Sequence, residues 1–227
     1  MLNAIHIIDP GTRVPELDCF NQISQASKLS CHYHLPALFG TSSLVATNED
    51  NIAGIIILGS GASVCDDTPW QNDLCNWLKP KIHGGISCLG ICYGHQLIAH
   101  MFGGKVAPLY KEGKKLTGTR TTKISQNRLD IVPMEYEVVV SHKEVCLDIP
   151  QEFRILAKSP AVEIDGLEHK HLPIWTFQSH PEATQLFLTN QSINIEQPKK
   201  DCALNDGEKI ISSFLAHCNH AKRLNHT

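Results

Sequence analysis

No charge of either sign dominates this 227-residue chain: 20 Lys and Arg stand against 23 Asp and Glu, a formal net charge of -3. That balance offers no electrostatic footprint for a polyphosphate backbone or an anionic membrane, so neither nucleic acid nor a membrane is an expected partner. The densest basic stretch, Lys111 to Lys115 with Arg120 and Lys123 beyond, is broken by Glu112 and Gly113 and has no interleaved aromatics for base stacking. It reads as a solvated loop or edge strand. CxxC pairs are missing although there are nine cysteines, an odd number in a chain too long to need stapling, so a reducing compartment is expected. No apolar run approaches the roughly 20 residues that span a bilayer. The opening Met1 to Asp9 has no basic region and a short apolar run, which suits a first buried strand better than a signal peptide. A cytoplasmic protein is the expectation. Internal repeats and linkers are also lacking, so residues 1–227 are expected to form a single domain.

With 42% hydrophobic and 19% charged residues, the composition is that of an ordinary globular chain. Leu17 to Leu29 carries spaced apolar positions that suit a helix. Ile55-Ile-Ile-Leu58, continuous and β-branched, runs into Gly59-Ser60-Gly61 as a central parallel strand enters a tight turn. A helix through Leu74 to Leu78 is expected to stop at Pro80. Ile86 to Leu89 then leads through Gly90-Ile91-Cys92-Tyr93-Gly94 into a helical stretch, His95 to Phe102, closed by Gly103-Gly104. Beyond it the pattern becomes strand-like at Leu116 to Ser125, Glu137 to Val140, Arg154 to Ala157 and Ile174 to Gln178. Thr189 to Asn205 is polar and weakly patterned, and Asp206 to His217 has the spacing of an amphipathic terminal helix.

Gly90-Ile-Cys-Tyr-Gly94 has a nucleophile between two flanking glycines, as on a strained strand-to-helix turn. The glycines answer a steric need, because neighbours two residues from such a turn approach too closely for a Cβ. A cysteine at a helix N-terminus gains thiolate character from the dipole and the unsatisfied N–H groups. A partner base lies in Phe177-Gln-Ser-His180-Pro-Glu182, directly after the apolar Ile174-Trp-Thr176. An imidazole takes the thiol proton and returns one to a leaving amine, while a carboxylate two residues on fixes its tautomer.

Gly90-Ile-Cys-Tyr-Gly-His-Gln96 with His180-Pro-Glu182 resembles the class I, or triad, glutamine amidotransferases over most of the chain, thinly in residues 10–50 and 185–205. The resemblance implies an α/β fold with an open, mostly parallel central sheet flanked by helices, here with a β-rich second half. It also implies that Cys92 forms a glutamyl thioester with His180 and Glu182 as base and orienter, and that glutamine is the substrate. Gly59 and Gly61 match the glycine-rich turn that helps form the oxyanion hole, with the N–H of Tyr93 as second donor. Gln96 matches a substrate contact, and Ser141, His142 and Lys143 match the strand end that binds the amino-acid end of glutamine, mostly through main-chain groups.

Two positions depart from the family pattern. Lys143 stands where many members have a small or amide residue, with consequences for substrate preference. Ser179 stands where an aromatic is usual, which predicts looser packing behind the base. Ammonia is expected to pass to an acceptor, in this family a synthetase domain or a separate synthetase subunit. No phosphate loop is present, since Gly59-Ser-Gly61 lacks the following Lys-Ser/Thr, and the reading requires no cofactor and no metal.

Three other readings fit parts of the sequence. His32-x-His34 and His169-x-His171 each suggest a metal pair, without a matching Cys or carboxylate cluster. A γ-glutamyl hydrolase or peptidase resembles the same fold and uses a similar Cys and His on larger γ-glutamyl amides. A catalytically silent relative would keep the fold, against which the intact Cys92, His180 and Glu182 argue.

Overall fold

The computed structural model describes residues 3–224. Its first half alternates strand and helix: β1 (Ala4–Ile8), α1 (Leu17–Ala26), β2 (Ser30–His34), the short α2 (Pro36–Phe39) and α3 (Ser42–Val45), β3 (Ile52–Ile57), α4 (Pro69–His83), β4 (Cys88–Ile91) and α5 (Tyr93–Met101). Strands then follow almost without interruption: β5 (Val106–Pro108), β6 (Leu116–Ile124), β7 (Glu135–His142), β8 (Glu144–Cys146), β9 (Phe153–Lys158), β10 (Gly166–His169) and β11 (Ile174–Phe177). Two helices close the chain, α6 (Gln185–Asn190) and α7 (Gln197–Leu224).

Nine strands make one sheet in the order β2-β1-β3-β4-β11-β10-β9-β6-β7, and β5 pairs with β8 apart from it. The expectation of a mostly parallel sheet is corrected here. The pairings from β2 to β11 are parallel, but β11-β10, β10-β9, β9-β6 and β6-β7 are antiparallel, so the sheet is evenly mixed. Helical crossovers run through the first half and force parallel strands there, whereas the later strands follow one another through loops that permit antiparallel pairing.

Strand periodicity sorts the buried residues onto the two faces. Ile5, Ile7, Ile56, Leu58, Leu89 and Ile91 share a core with Ile210, Ile211, Phe214 and Leu215 of α7. Ile8, Ile55, Ile57 and Cys88 pack on the other face with Leu74 and Leu78 of α4 and Leu97 and Ile98 of α5. Each such side chain contributes about 1.5–3 kcal/mol on burial. Both faces being covered explains why β3 reads as an unbroken apolar run.

Pro80 does not end α4, which continues to His83. A proline N–H is lost and its ring crowds the preceding turn, yet here it lies in the last turn, where Gly84 N–H still bonds to the Pro80 carbonyl at 2.9 Å. The terminal helix begins at Gln197, well before Asp206, and its first part packs Ala203 and Leu204 into a cluster with Phe187, Leu188 and Ile193. All nine cysteines are free thiols. Among the described residues no helix is long and apolar enough to cross a membrane.

Candidate active site

Two adjacent parallel strands, β4 and β11, deliver the predicted nucleophile and base to the same sheet edge. Phe177 pairs with Ile91, and the Cys92 N–H bonds to the Phe177 carbonyl at 2.8 Å. Cys92 follows β4 at φ 51° and ψ -98°, a conformation that costs a non-glycine residue of order 1–3 kcal/mol. The flanking glycines are what make the turn possible. A Cβ on Gly90 would lie 2.6 Å from the Gly94 carbonyl oxygen, and one on Gly94 would lie 2.4 Å from that of Ile57. Tyr93 is the first residue of α5, so its N–H has no acceptor within the helix and points out at the N-terminal end.

His180 is held from three directions. Its N–H bonds to the Val139 carbonyl of β7 at 2.8 Å, its Nδ1 lies 2.8 Å from Glu182 Oε1, and its ring packs on Phe187 of α6 with centroids 4.7 Å apart. Phe187 packs against the imidazole, so the loose packing expected from Ser179 is not found behind His180. Thr184 caps α6 by accepting from the Phe187 N–H at 3.0 Å, which fixes that ring's position. His180 and Glu182 are buried, and His180 Nε2 has no hydrogen-bond partner among the described residues. Burial opposes a charge on His180, but Cys92 and then Glu182 reverse this and hold the imidazole well above its usual range.

Cys92, Gly59, Gly61, Gln96, Ser141, His142, Lys143, His180 and Glu182 all line one open cavity of about 870 Å³. Of the residues expected at the site, Tyr93 alone does not: its side chain is buried and accepts at Oη from Gln71 Nε2 at 3.0 Å, leaving its backbone N–H as the available group. A Cβ on Gly59 would lie 2.7 Å from His180 Cε1 and 3.6 Å from Cys92 Cβ, which places the glycine between the two side chains. Gly61 has no such constraint, since a Cβ there would meet nothing within 4 Å.

His142 is committed to structure. Arg120 Nη1 lies 3.0 Å from its Nε2, and Arg is only a donor, so Nε2 accepts and Nδ1 carries the proton toward the Glu144 carbonyl at 3.1 Å. Burial first, then Arg120, lowers its pKa to about 3. Gln96 Nε2 donates to the same Glu144 carbonyl at 2.8 Å and to Gln178 Oε1 at 3.1 Å, while Gln178 Nε2 faces Cys92 Sγ at 3.7 Å.

Several cavity residues were not foreseen from the sequence. Lys115 belongs to the basic stretch read as a solvated loop, but it is half-buried and burial pulls its pKa down, with Cys92 acting in the opposite sense. Glu16, beside Pro15, and Gln191, at the end of α6, complete that wall. Only the abundance of cations near Lys115 was a signal; nothing in residue type marks Glu16 or Gln191. One member of each histidine pair suggested for metal is otherwise engaged. His34 bonds to His6 and Ser43, each at 2.9 Å, and His169 Nδ1 accepts from the N–H groups of His171 and Leu172. Among the described residues no group of three or more His, Cys, Asp or Glu is arranged to hold a metal ion.

Known proteins resemble this chain in both sequence and fold. A glutamine-hydrolyzing GMP synthase of Streptococcus mutans is 30% identical over 161 residues, 68% of this chain and 30% of the relative. One subunit of the glutamine-hydrolyzing GMP synthase of Methanocaldococcus jannaschii is 34% identical over 116 residues, 51% of this chain and 61% of that protein. The chain thus spans less than two thirds of the length of either relative. A solved glutamine amidotransferase of Thermotoga maritima superimposes with a TM-score of 0.73 at 17% identity, covering 96% of this chain and 98% of its own, which establishes the shared fold. Residues 19–191, more than half of the chain, match the family described as glutamine amidotransferase class-I, and the protein belongs to that family.

Proposed function

We propose that the chain hydrolyses the side-chain amide of glutamine through a Cys92 thioester. The observation that carries this reading is the buried His180–Glu182 pair beside Cys92, with His180 Nε2 unpartnered at the cavity. Cys92 Sγ attacks the amide carbon and forms the C–S bond, and the Gly59 and Tyr93 N–H groups receive the oxyanion. Protonated His180 gives its proton to the amide nitrogen as the C–N bond breaks, releasing ammonia. Water then loses a proton to His180 and attacks the thioester, yielding glutamate and the free thiolate. Glu182 holds the imidazole tautomer throughout.

Ammonia requires an acceptor. The M. jannaschii relative is named as one subunit of its synthase, which supports a separate synthetase partner for the present chain. A γ-glutamyl hydrolase is the second reading, favoured by a cavity of about 870 Å³ that is larger than glutamine needs. Release of ammonia and glutamate from glutamine by the purified chain, beside Cys92→Ala and with a γ-glutamyl peptide in parallel, tests both. Turnover lost in Cys92→Ala is expected. Equal turnover in the two proteins refutes the nucleophile, and peptide cleavage without glutamine cleavage selects the hydrolase.

A further inference from the structure

Three side chains from distant parts of the sequence form a polar chain across the cavity wall. Lys115 Nζ donates to Gln191 Oε1 at 2.9 Å, and Gln191 Nε2 donates to Glu16 Oε1 at 3.5 Å. Ser141 Oγ reaches the same Gln191 Oε1 at 3.5 Å. The pairing of Leu116 with His142 places Lys115 beside Lys143, so the cationic end of the chain adjoins the end of β7. At the opposite end Glu16 is fixed by its own N–H, which bonds to Asp9 Oδ2 at 2.7 Å. Asp9 is fully buried and also takes the Gly11 N–H at 2.8 Å, so the loop that carries Glu16 is anchored to β1.

A carboxamide with its oxygen toward a cation and its nitrogen toward an anion reports what the two charges would recognise. They lie at the two ends of one planar amide, a spacing comparable to that between the carboxylate and ammonium of an α-amino acid. Lys115 uses one of its three N–H donors on Gln191. A charge-assisted bond from such an ammonium to a carboxylate is about twice as strong as a neutral one. The half-buried setting limits screening of both ends by water.

We infer that Lys115 and Glu16, spaced by Gln191, form a clamp for the α-carboxylate and α-ammonium of the substrate and set its specificity for an α-amino acid. The inference rests on the glutamine reading above and names side chains where that reading relied on main-chain groups at residues 141–143. Binding of the zwitterion on this wall directs the amide end toward Cys92. It also explains a lysine drawn into a cavity from an otherwise solvated basic stretch.

Calorimetric titration of the Cys92→Ala chain tests the clamp without turnover. Three ligands are compared: glutamine, 4-aminobutanamide, which lacks the carboxylate, and 4-carbamoylbutanoate, which lacks the amine. Adding Lys115→Met is expected to weaken glutamine roughly tenfold or more and to erase its preference over 4-aminobutanamide, whereas Lys115→Arg keeps that preference. Adding Glu16→Gln is expected to erase the preference over 4-carbamoylbutanoate. Unchanged ligand ratios in both variants, with ammonia still released by the chain bearing Cys92, overturn the clamp and leave the reaction standing. Charge-dependent ratios with no ammonia release overturn the reaction and leave the clamp. Failure of glutamine to bind the Cys92→Ala chain overturns the clamp.

Discussion

Gly59 and His180 approach so closely that a methyl group on the glycine would lie 2.7 Å from the imidazole Cε1. The ring has little room to retreat, since Glu182, Phe187 and the Val139 carbonyl fix it. Gly59→Ala is therefore expected to shift the base and cut glutamine turnover about a hundredfold, the scale of a misplacement near 1 Å. Circular dichroism should remain that of the parent. Gly61→Ala meets nothing within 4 Å and should change turnover by no more than about twofold, as for an unconstrained surface site. Equal losses in the two variants would show that backbone freedom, rather than contact with the base, matters at Gly59.

Gln178 supplies an N–H at 3.7 Å from Cys92 Sγ, and its Oε1 is held by Gln96. An amide in that position donates toward the sulfur and orients it. Gln178→Leu is expected to slow iodoacetamide alkylation of Cys92 and the acylation step by roughly tenfold, the equivalent of one modest hydrogen bond. Gln178→Glu places an anion beside the thiolate and should slow both further. If Gln178→Glu reacts as fast as the parent, the side chain plays no part in activating sulfur.

The residues of the proposed triad stood out because their steric and chemical demands fall on neighbouring residues. Gly90, Cys92 and Gly94 are forced together by one turn, and His180 and Glu182 by another. The first-half strands other than β2 were equally readable, since helices cover both faces and leave unbroken apolar runs such as Ile55 to Ile57. β2 escaped notice because it is an edge strand whose residues alternate between exposed and half-buried. In the antiparallel half β6, β7, β9 and β11 were seen as strands and β10 was not, and their pairing depends on loop paths that residue types do not encode. The Glu16–Gln191–Lys115 wall was invisible for the same reason: its members are 175 and 76 residues apart and carry no shared pattern.

Glu168 is fully buried and takes hydrogen bonds from Arg128 N–H at 2.9 Å, Arg154 Nε at 2.8 Å and Trp175 Nε1 at 2.9 Å. It ties β10 to β9, β11 and the loop after β6 at one point. Removal of one partner from a buried pair costs about 3–5 kcal/mol. Arg128 and Arg154 retain water access at 40% and 48% side-chain exposure, so the lower end of that range applies. Glu168→Ala is thus expected to lower unfolding free energy by roughly 3 kcal/mol, measured from the urea midpoint at constant slope. A loss below about 1 kcal/mol would mean that the arginines recover their solvation completely.

His6 and His34 set an acid limit outside the cavity that holds Cys92 and His180. They share a hydrogen bond of 2.9 Å on neighbouring strands, are buried, and have pKa values lowered to about 4, by burial first and then by neighbouring histidines. Both are neutral in folded and unfolded chains at about pH 7.5, so the pair exacts no penalty there. Below about 6.5, the ordinary imidazole value, the unfolded chain binds protons that the folded one refuses, and stability falls with pH until about 4. The urea midpoint is expected to drop between about pH 7.5 and about pH 5. The double variant His6→Leu/His34→Leu removes both sites and should show a smaller drop over the same interval. An identical drop in parent and variant would assign the acid sensitivity to other groups, His142 first among them, because burial and Arg120 hold it at about 3.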